Sequence, residues 1–281
     1  MILYSATTHA TAAGKPFRFK VMTFNVKYAS ESENHRWSDR RPVLRNAILR
    51  ANPDLIGTQE GLHRQATHIA EDLPGYDWIG LGRDGGSKGE LMAIFYKRRR
   101  FEPLAYDHFW LSDTPQVIGS RTWGHDSPRM VTWVLFRDKA SAVEFYHWNT
   151  HFDNQSEAAR HNSADLVLGK LRSTDPDRPA VVTGDFNAAQ TSIVHEKMLA
   201  RAEGQVNLLD AWDEAEVREG KQVCTCHGWS GPSDSDQRID WVLTSPDFKC
   251  KRAAVITYQE NGRYPSDHFP VVCDLVVERP A

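Results

Sequence analysis

Six places in the chain end an apolar run on a residue able to hold a metal or move a proton: Asn25, Glu60, His151, Asp185, Asp240 and the pair Asp267-His268. The segment Thr183-Gly184-Asp185-Phe186-Asn187 is the fullest of them. At strand spacing Asp185 and Asn187 share a face. The carboxylate could take a proton from water, and the amide could donate to an anionic oxygen. Alone, the segment reads more readily as a turn whose Asp and Asn satisfy local backbone. Its company changes that reading. An apolar strand can end in any polar residue, whereas these endings draw only on Asn, Asp, Glu and His.

The elements that must position these residues can be read from patterning. Residues 17–26 (FRFKVMTFNV) are rich in β-formers and predict a buried strand ending at Asn25. Ser38 is the expected cap of a helix running to Arg50, with Pro42 in its first turn. Val43, Leu44, Ala47, Ile48 and Ala51 form its apolar face, and Asn52-Pro53 ends it. Residues 54–60 predict a short strand finishing on Glu60. Further strands are expected at 91–96, 130–136, 143–149, 180–182, 239–243 and 269–277, with a helix over 157–171 capped by Ser156. Strands and amphipathic helices alternate throughout, which predicts a single α/β domain. Residues 1–16 are expected to be a flexible leader, and 17–281 the domain.

The chain has 281 residues, 40% hydrophobic and 25% charged, as soluble globular proteins do. No apolar run reaches the 18 or so residues of a membrane span. The net charge of -3 argues against a non-specific grip on nucleic acid, which needs many cations. Cys224, Cys226, Cys250 and Cys273 are too sparse for a disulfide scaffold. Cys224-Thr225-Cys226-His227 has the wrong spacing for structural zinc, so free thiols are expected. The compartment expected is cytoplasmic, or exported if 1–16 is a processed remnant. Oligomeric state stays open.

The order of motifs resembles the endonuclease/exonuclease/phosphatase superfamily from Phe19 to about Asp274. Each motif alone is weak, and the combination is specific. A bacterial metal-dependent hydrolase branch is similar at Trp37 to Arg40, at Gly86-Ser87-Lys88-Gly89-Glu90 and at Arg129 to Trp133. The resemblance implies a four-layer α/β/β/α sandwich of two packed mixed sheets flanked by helices. It also implies hydrolysis of a phosphoester by in-line attack of water. Glu60 would be the main ligand of Mg2+ (or Mn2+), with Asn25 and Asp267 nearby, directly or through water. Asp185 would activate the water, and Asn187 would donate to a phosphoryl oxygen. His268 backed by Asp240, and His151 paired with Glu90, would face the phosphate. Both imidazoles would have raised pKa values. Arg129 would contact phosphate, and His227, in Thr225-Cys226-His227-Gly228-Trp229, would stand on the substrate side.

The other histidines (35, 63, 68, 108, 125, 147, 161 and 195) lack a supporting motif and are expected in solvent or packing. Trp78, Trp133, Trp148, Trp212 and Trp241 are expected in the core. Trp37, Trp110, Trp123 and Trp229 could wall a pocket or stack on a base. Lys97-Arg98-Arg99-Arg100 reads as a solvated turn between strands. Three functions compete. A small-molecule or lipid-headgroup phosphoesterase fits best. A DNA or RNA nuclease would use the same site, and nucleic acid is the less favoured substrate. A non-catalytic binding protein on this fold is disfavoured because the chemical residues are all present.

Overall fold

The computed structural model describes residues 17–31, 34–175, 178–200, 207–219, 224–233, 235 and 237–277. The expected leader at 1–16 lies outside them. The first half contains β1 (Phe17–Asn25), α1 (Trp37–Ala51), β2 (Leu55–Gln59), β3 (Gly61–Leu62), α2 (His63–Asp72), β4 (Tyr76–Ile79), β5 (Glu90–Leu91), β6 (Ile94–Lys97), β7 (Phe101–Trp110) and β8 (Met130–Asp138). The second half contains β9 (Glu144–His151), α3 (Glu157–Thr174), β10 (Ala180–Asp185), α4 (Ile193–Leu199), β11 (Leu209–Asp210), β12 (Val217–Glu219), β13 (Asp240–Thr244), β14 (Phe248–Val255) and β15 (Val271–Val277).

Two mixed sheets face each other. One runs β12-β14-β15-β1-β2-β6-β4, the other β11-β13-β10-β9-β8-β7. Alternation along β1 shows why. Phe17, Phe19 and Val21 point between the sheets and meet Phe101, Phe136, Phe145 and Phe248. Met22 and Phe24 point outward, under Trp37, Leu44 and Ile48 of α1 and Ile69 of α2. On the far side Val182 and Trp148 pack under Val167, Leu168 and Leu171 of α3, with Val194 and Met198 of α4. Helices, sheet, sheet and helices make the four layers expected. Among the described residues no helix is long and apolar enough to cross a membrane.

Asn52 ends α1 in the left-handed region, φ 48°, with its N–H on Ile48 O. Ser38 does not cap the helix: α1 begins at Trp37, and the Ser38 hydroxyl donates to Glu31 instead. Pro42 therefore falls inside the helix rather than in its first turn. Ser156 does cap α3, accepting from Ala159 N–H at 3.1 Å. The expected strand at 91–96 is two pieces, β5 and β6, in different sheets. Lys97 to Arg100 turn between β6 and β7, where Lys97 and Arg100 pair with Asp54 and Arg100 also pairs with Asp138. Trp37 and Trp110 are packing residues, 1% and 3% exposed, not pocket walls.

Candidate active site

Strand direction gathers the polar endings. β1 and β2 are parallel, as are β9 and β10, so Asn25, Glu60, His151 and Asp185 arrive at one end of the sandwich. β13 and β15 run antiparallel to their neighbours, so their beginnings, Asp240 and the Asp267-His268 turn, reach the same end. Arg129, just before β8, does too. Asp185 lies opposite His151 on one side and Asp240 on the other. Odd positions of β1, β2, β9 and β10 face the inter-sheet space, so Asn25, His151 and Asp185 continue the core's own register, whereas Glu60 breaks it at a left-handed residue, φ 61°, just past β2.

A belt of buried polar side chains separates this end from the apolar core. Gln59 donates to Thr23 at 3.2 Å and to Asn149 Oδ1 at 2.7 Å. Thr183 donates to the same oxygen at 3.0 Å, and His147 Nε2 meets Thr183 at 2.9 Å. Gly57 makes the contact possible: a Cβ there would lie 2.1 Å from Thr183 Oγ1 and 2.5 Å from Asn149 Oδ1. His147, fully buried, is thus part of this belt, and burial lowers its pKa to about 3.

Above the belt an open cleft of ≈ 370 Å³ is lined by Lys27, Glu60, Arg83, Glu90, Arg129, His151, Asp185, Asn187, Asp267 and His268, among others. Asp185 stands at its floor, 1% exposed. Its Oδ2 accepts from Asn25 Nδ2 at 2.9 Å and lies 3.6 Å from His151 Nε2 and 3.8 Å from His268 Nε2. Its Oδ1 accepts from Asn187 N–H at 2.9 Å. Burial and the nearby Asp240 charge raise its pKa to about 7, against the opposing pull of His268. Asn187 turns with φ 48° and donates through Nδ2 to Phe152 O at 3.0 Å.

His268 Nδ1 meets Asp240 Oδ2 at 2.9 Å. Burial opposes charge on this imidazole, but the Asp240 carboxylate outweighs it and holds the pKa well above the ordinary value. The expected His151–Glu90 pair is absent. Arg83, aligned by the backbone bond from its N–H to Glu90 O, takes the Glu90 carboxylate at 2.8 Å. His151 faces Asp185 instead and its Nδ1 has no partner. Burial, then Arg129 and His268, push its pKa well below the ordinary value, so the raised pKa expected of both histidines holds only for His268. Burial raises the Glu90 pKa despite Arg83. Arg129 is anchored by Asp153 at 3.3 Å and Asn154 at 2.8 Å on the cleft wall. His227 is absent from that wall: its ring stacks on Phe269 at 3.9 Å, a packing role.

Two charged residues lining the cleft, Arg83 and Lys27, carry no signal in the sequence. The Lys27 ammonium lies 3.2 Å from Asp267 Oδ2 and 3.7 Å from Glu60 Oε2. Two hard oxygen donors thus already share a cation at the mouth of a wet cleft, which suits a divalent ion that keeps several waters. Ligand atoms of Glu60, His151 and Asp185 also lie within 4.8 Å of one another. Asn25 presents nitrogen, not oxygen, to this group: Nδ2 donates to Glu60 Oε1 at 2.9 Å and to Asp185, while Oδ1 accepts from Lys27 N–H at 3.0 Å. It braces the two carboxylates. A second buried cluster, His195, Asp210 and Arg238, lies on the α4 side and binds itself, at 2.8 and 2.9 Å.

Residues 22–268 match the Endonuclease/Exonuclease/phosphatase family, and the chain belongs to it. It is therefore a member of a family of phosphoester hydrolases. A solved mannosyl-6-phosphatase of Bacteroides thetaiotaomicron is 34% identical, with a TM-score of 0.84 over 92% of this chain and 99% of that one. A protein of Acanthamoeba polyphaga mimivirus is 32% identical over 181 residues, 60% of this chain. Nocturnin of Drosophila melanogaster is 24% identical over 85% of this chain. The chain spans 66% and 42% of the lengths of these two curated relatives.

Proposed function

We propose that the chain hydrolyses phosphate esters of small polar molecules with the help of Mg2+, or Mn2+, held by Glu60 and Asp267. The observation that carries this reading is Asp185: a buried carboxylate with a pKa near 7, fixed by Asn25 and the Asn187 N–H and flanked by two imidazoles. The cation, when bound, would polarise the ester and offset charge on the phosphoryl oxygens. Asp185 receives the proton of the attacking water, and a pKa near the working pH suits that task. His268, kept charged by Asp240, donates to the phosphoryl group as its charge grows. Asn187 adds an amide donor, and Arg129 neutralises phosphate from the wall. His151, neutral and beside Asp185, can pass a proton toward the leaving oxygen. Phosphoryl transfer asks for little more than such positioning and charge neutralisation.

The mannosyl-6-phosphatase likeness supports a sugar phosphate or similar monoester as substrate. The nuclease reading is weaker, since Trp110, Trp123 and Trp229, which could have stacked on bases, do not line the cleft. The test is a panel of sugar phosphates, a lysophospholipid, an aryl diester, plasmid DNA and RNA, each with and without chelator. Mg2+-dependent release of phosphate from the sugar esters is expected. Faster cleavage of DNA or RNA, or turnover that survives chelation, refutes the reading.

A further inference from the structure

Lys27 has no part in the chemistry above, yet it sits on the two carboxylates assigned to the cation. It is not a wandering surface lysine. Its backbone is held in the left-handed region, φ 54°. Its N–H donates to Asn25 Oδ1, and its carbonyl accepts from Gln65 at 2.9 Å and from Arg40 at 3.1 Å. Arg40 is itself fully buried and also donates to Val26 O and Pro265 O at 2.8 Å, tying the Lys27 turn to the segment that carries Asp267. The ammonium is therefore delivered to one place by a rigid frame.

We propose that Lys27 is the resident counter-ion of the metal site, displaced into the cleft when a divalent cation takes Glu60 and Asp267. The proposal rests on the reading of those two carboxylates as metal donors. Without a cation the two would repel, and the ammonium offsets that repulsion. A divalent ion and an ammonium cannot both lie against the same oxygens, because like charges at such range repel strongly. The lysine stem is flexible, and the adjoining cleft has room for the head group. Arg83 and Arg129 are paired with Glu90 and Asp153, neither of which is assigned to the cation. Lys27 alone among these three loses its anchors to the metal, and the substrate phosphate is the negative charge then open to it. Metal loading thus frees a cation for the anion, and by linkage phosphate must tighten metal binding in return.

The test is calorimetric titration of Mn2+ into chelator-stripped protein at about 0.15 M salt, where distant charges are screened. Wild type, Lys27→Met and Lys27→Arg are compared, with and without inorganic phosphate. Without phosphate, Lys27→Met should bind Mn2+ roughly tenfold more tightly than wild type, since nothing need be displaced. Lys27→Arg should stay near wild type. Phosphate should tighten Mn2+ less in Lys27→Met than in wild type. Equal or weaker Mn2+ binding by Lys27→Met overturns the role of Lys27, as does an undiminished phosphate effect. Failure of Mn2+ to bind any of the three would instead remove the metal reading on which the proposal stands.

Discussion

The Asp185 carboxylate should destabilise the fold at the pH where it works, and Asp185→Asn tests this. The folded pKa is about 7 against an ordinary 3.8. The folded chain therefore holds this proton more tightly than the unfolded one. The stability so conferred is complete below the unfolded value and is lost as pH rises toward 7. At about 1.4 kcal/mol per unit the full loss approaches ~4 kcal/mol, of which roughly 2–3 kcal/mol falls between pH 5 and 8. An amide at this position removes the titration. It keeps one oxygen for Asn187 N–H but turns an NH2 toward the Asn25 amide, 2.9 Å from the oxygen it replaces. That donor–donor meeting costs ~1–3 kcal/mol at every pH, so it shifts the curve without tilting it. Asp240, the larger of the two carboxylate influences on His268, remains to hold that imidazole charged in the variant. The assay is urea unfolding in chelator near pH 5, 6.5 and 8, read as the difference between variant and wild type. The difference should move in the variant's favour by ~2–3 kcal/mol across the range. Turnover with Mg2+ should meanwhile fall by ~10²–10⁴, and the wild-type rate should decline as pH falls through the Asp185 pKa, which a divalent cation at neighbouring Glu60 draws below its cation-free value of about 7. A difference that is flat with pH would mean that Asp185 is not buried as a charge, and the base assignment would go with it.

Gly57→Ala should cost ~1–3 kcal/mol, seen as a melting point lower by several degrees, because its Cβ would press on Thr183 and Asn149 across the inter-sheet space. An unchanged melt would mean that the sheets are not held that close. Arg40→Met should cost about 3 kcal/mol or more by stranding the carbonyls of Val26, Lys27 and Pro265, and should weaken Mn2+ binding in calorimetry as the two site loops separate. Unchanged melting and affinity would refute the clamp.

What the sequence showed was local, and what it hid was pairing. Runs such as 17–26 and 180–182 announce strands because β-formers cluster, and their polar last residues announce a site. Those residues converge because strand order and direction bring their ends together. The partner of His151 could not be read this way. Glu90 is captured by Arg83 through a hairpin whose two sides are seven residues apart, a local bond that outcompetes the cross-sheet one. Lys27 escaped because a single basic residue two places beyond Asn25 looks like surface; only the frame of Arg40, Gln65 and Asn25 aims it inward. β14 gives no clear strand signal in the sequence although Phe248, Cys250 and Ala253 face the core, since Lys249, Lys251 and Arg252 between them mask the alternation.

The inter-sheet space is graded, and the grading has a physical reason. One end is filled by rings: Phe19 packs on Phe17 and Phe145 at 5.0 Å and on Phe248 at 5.6 Å. Such burial yields ~1.5–3 kcal/mol for each large apolar side chain. The other end buries Asp185, Asp240, His151 and His268, whose desolvation works against folding. Between them the Thr23–Gln59–Asn149–Thr183 belt lets polarity rise in steps through the bonds donated by Gln59 Nε2 and Thr183, while Gln59 Oε1 and His147 Nδ1 stay buried without a partner. An apolar residue in the belt would strand those partners, and a charge there would lack the cleft's water. The two sheets can therefore hold unfavourable carboxylates rigidly at one end because the ring-packed end holds the sheets together. Substitutions that loosen the aromatic end should lower stability well before they alter the pH dependence set by Asp185.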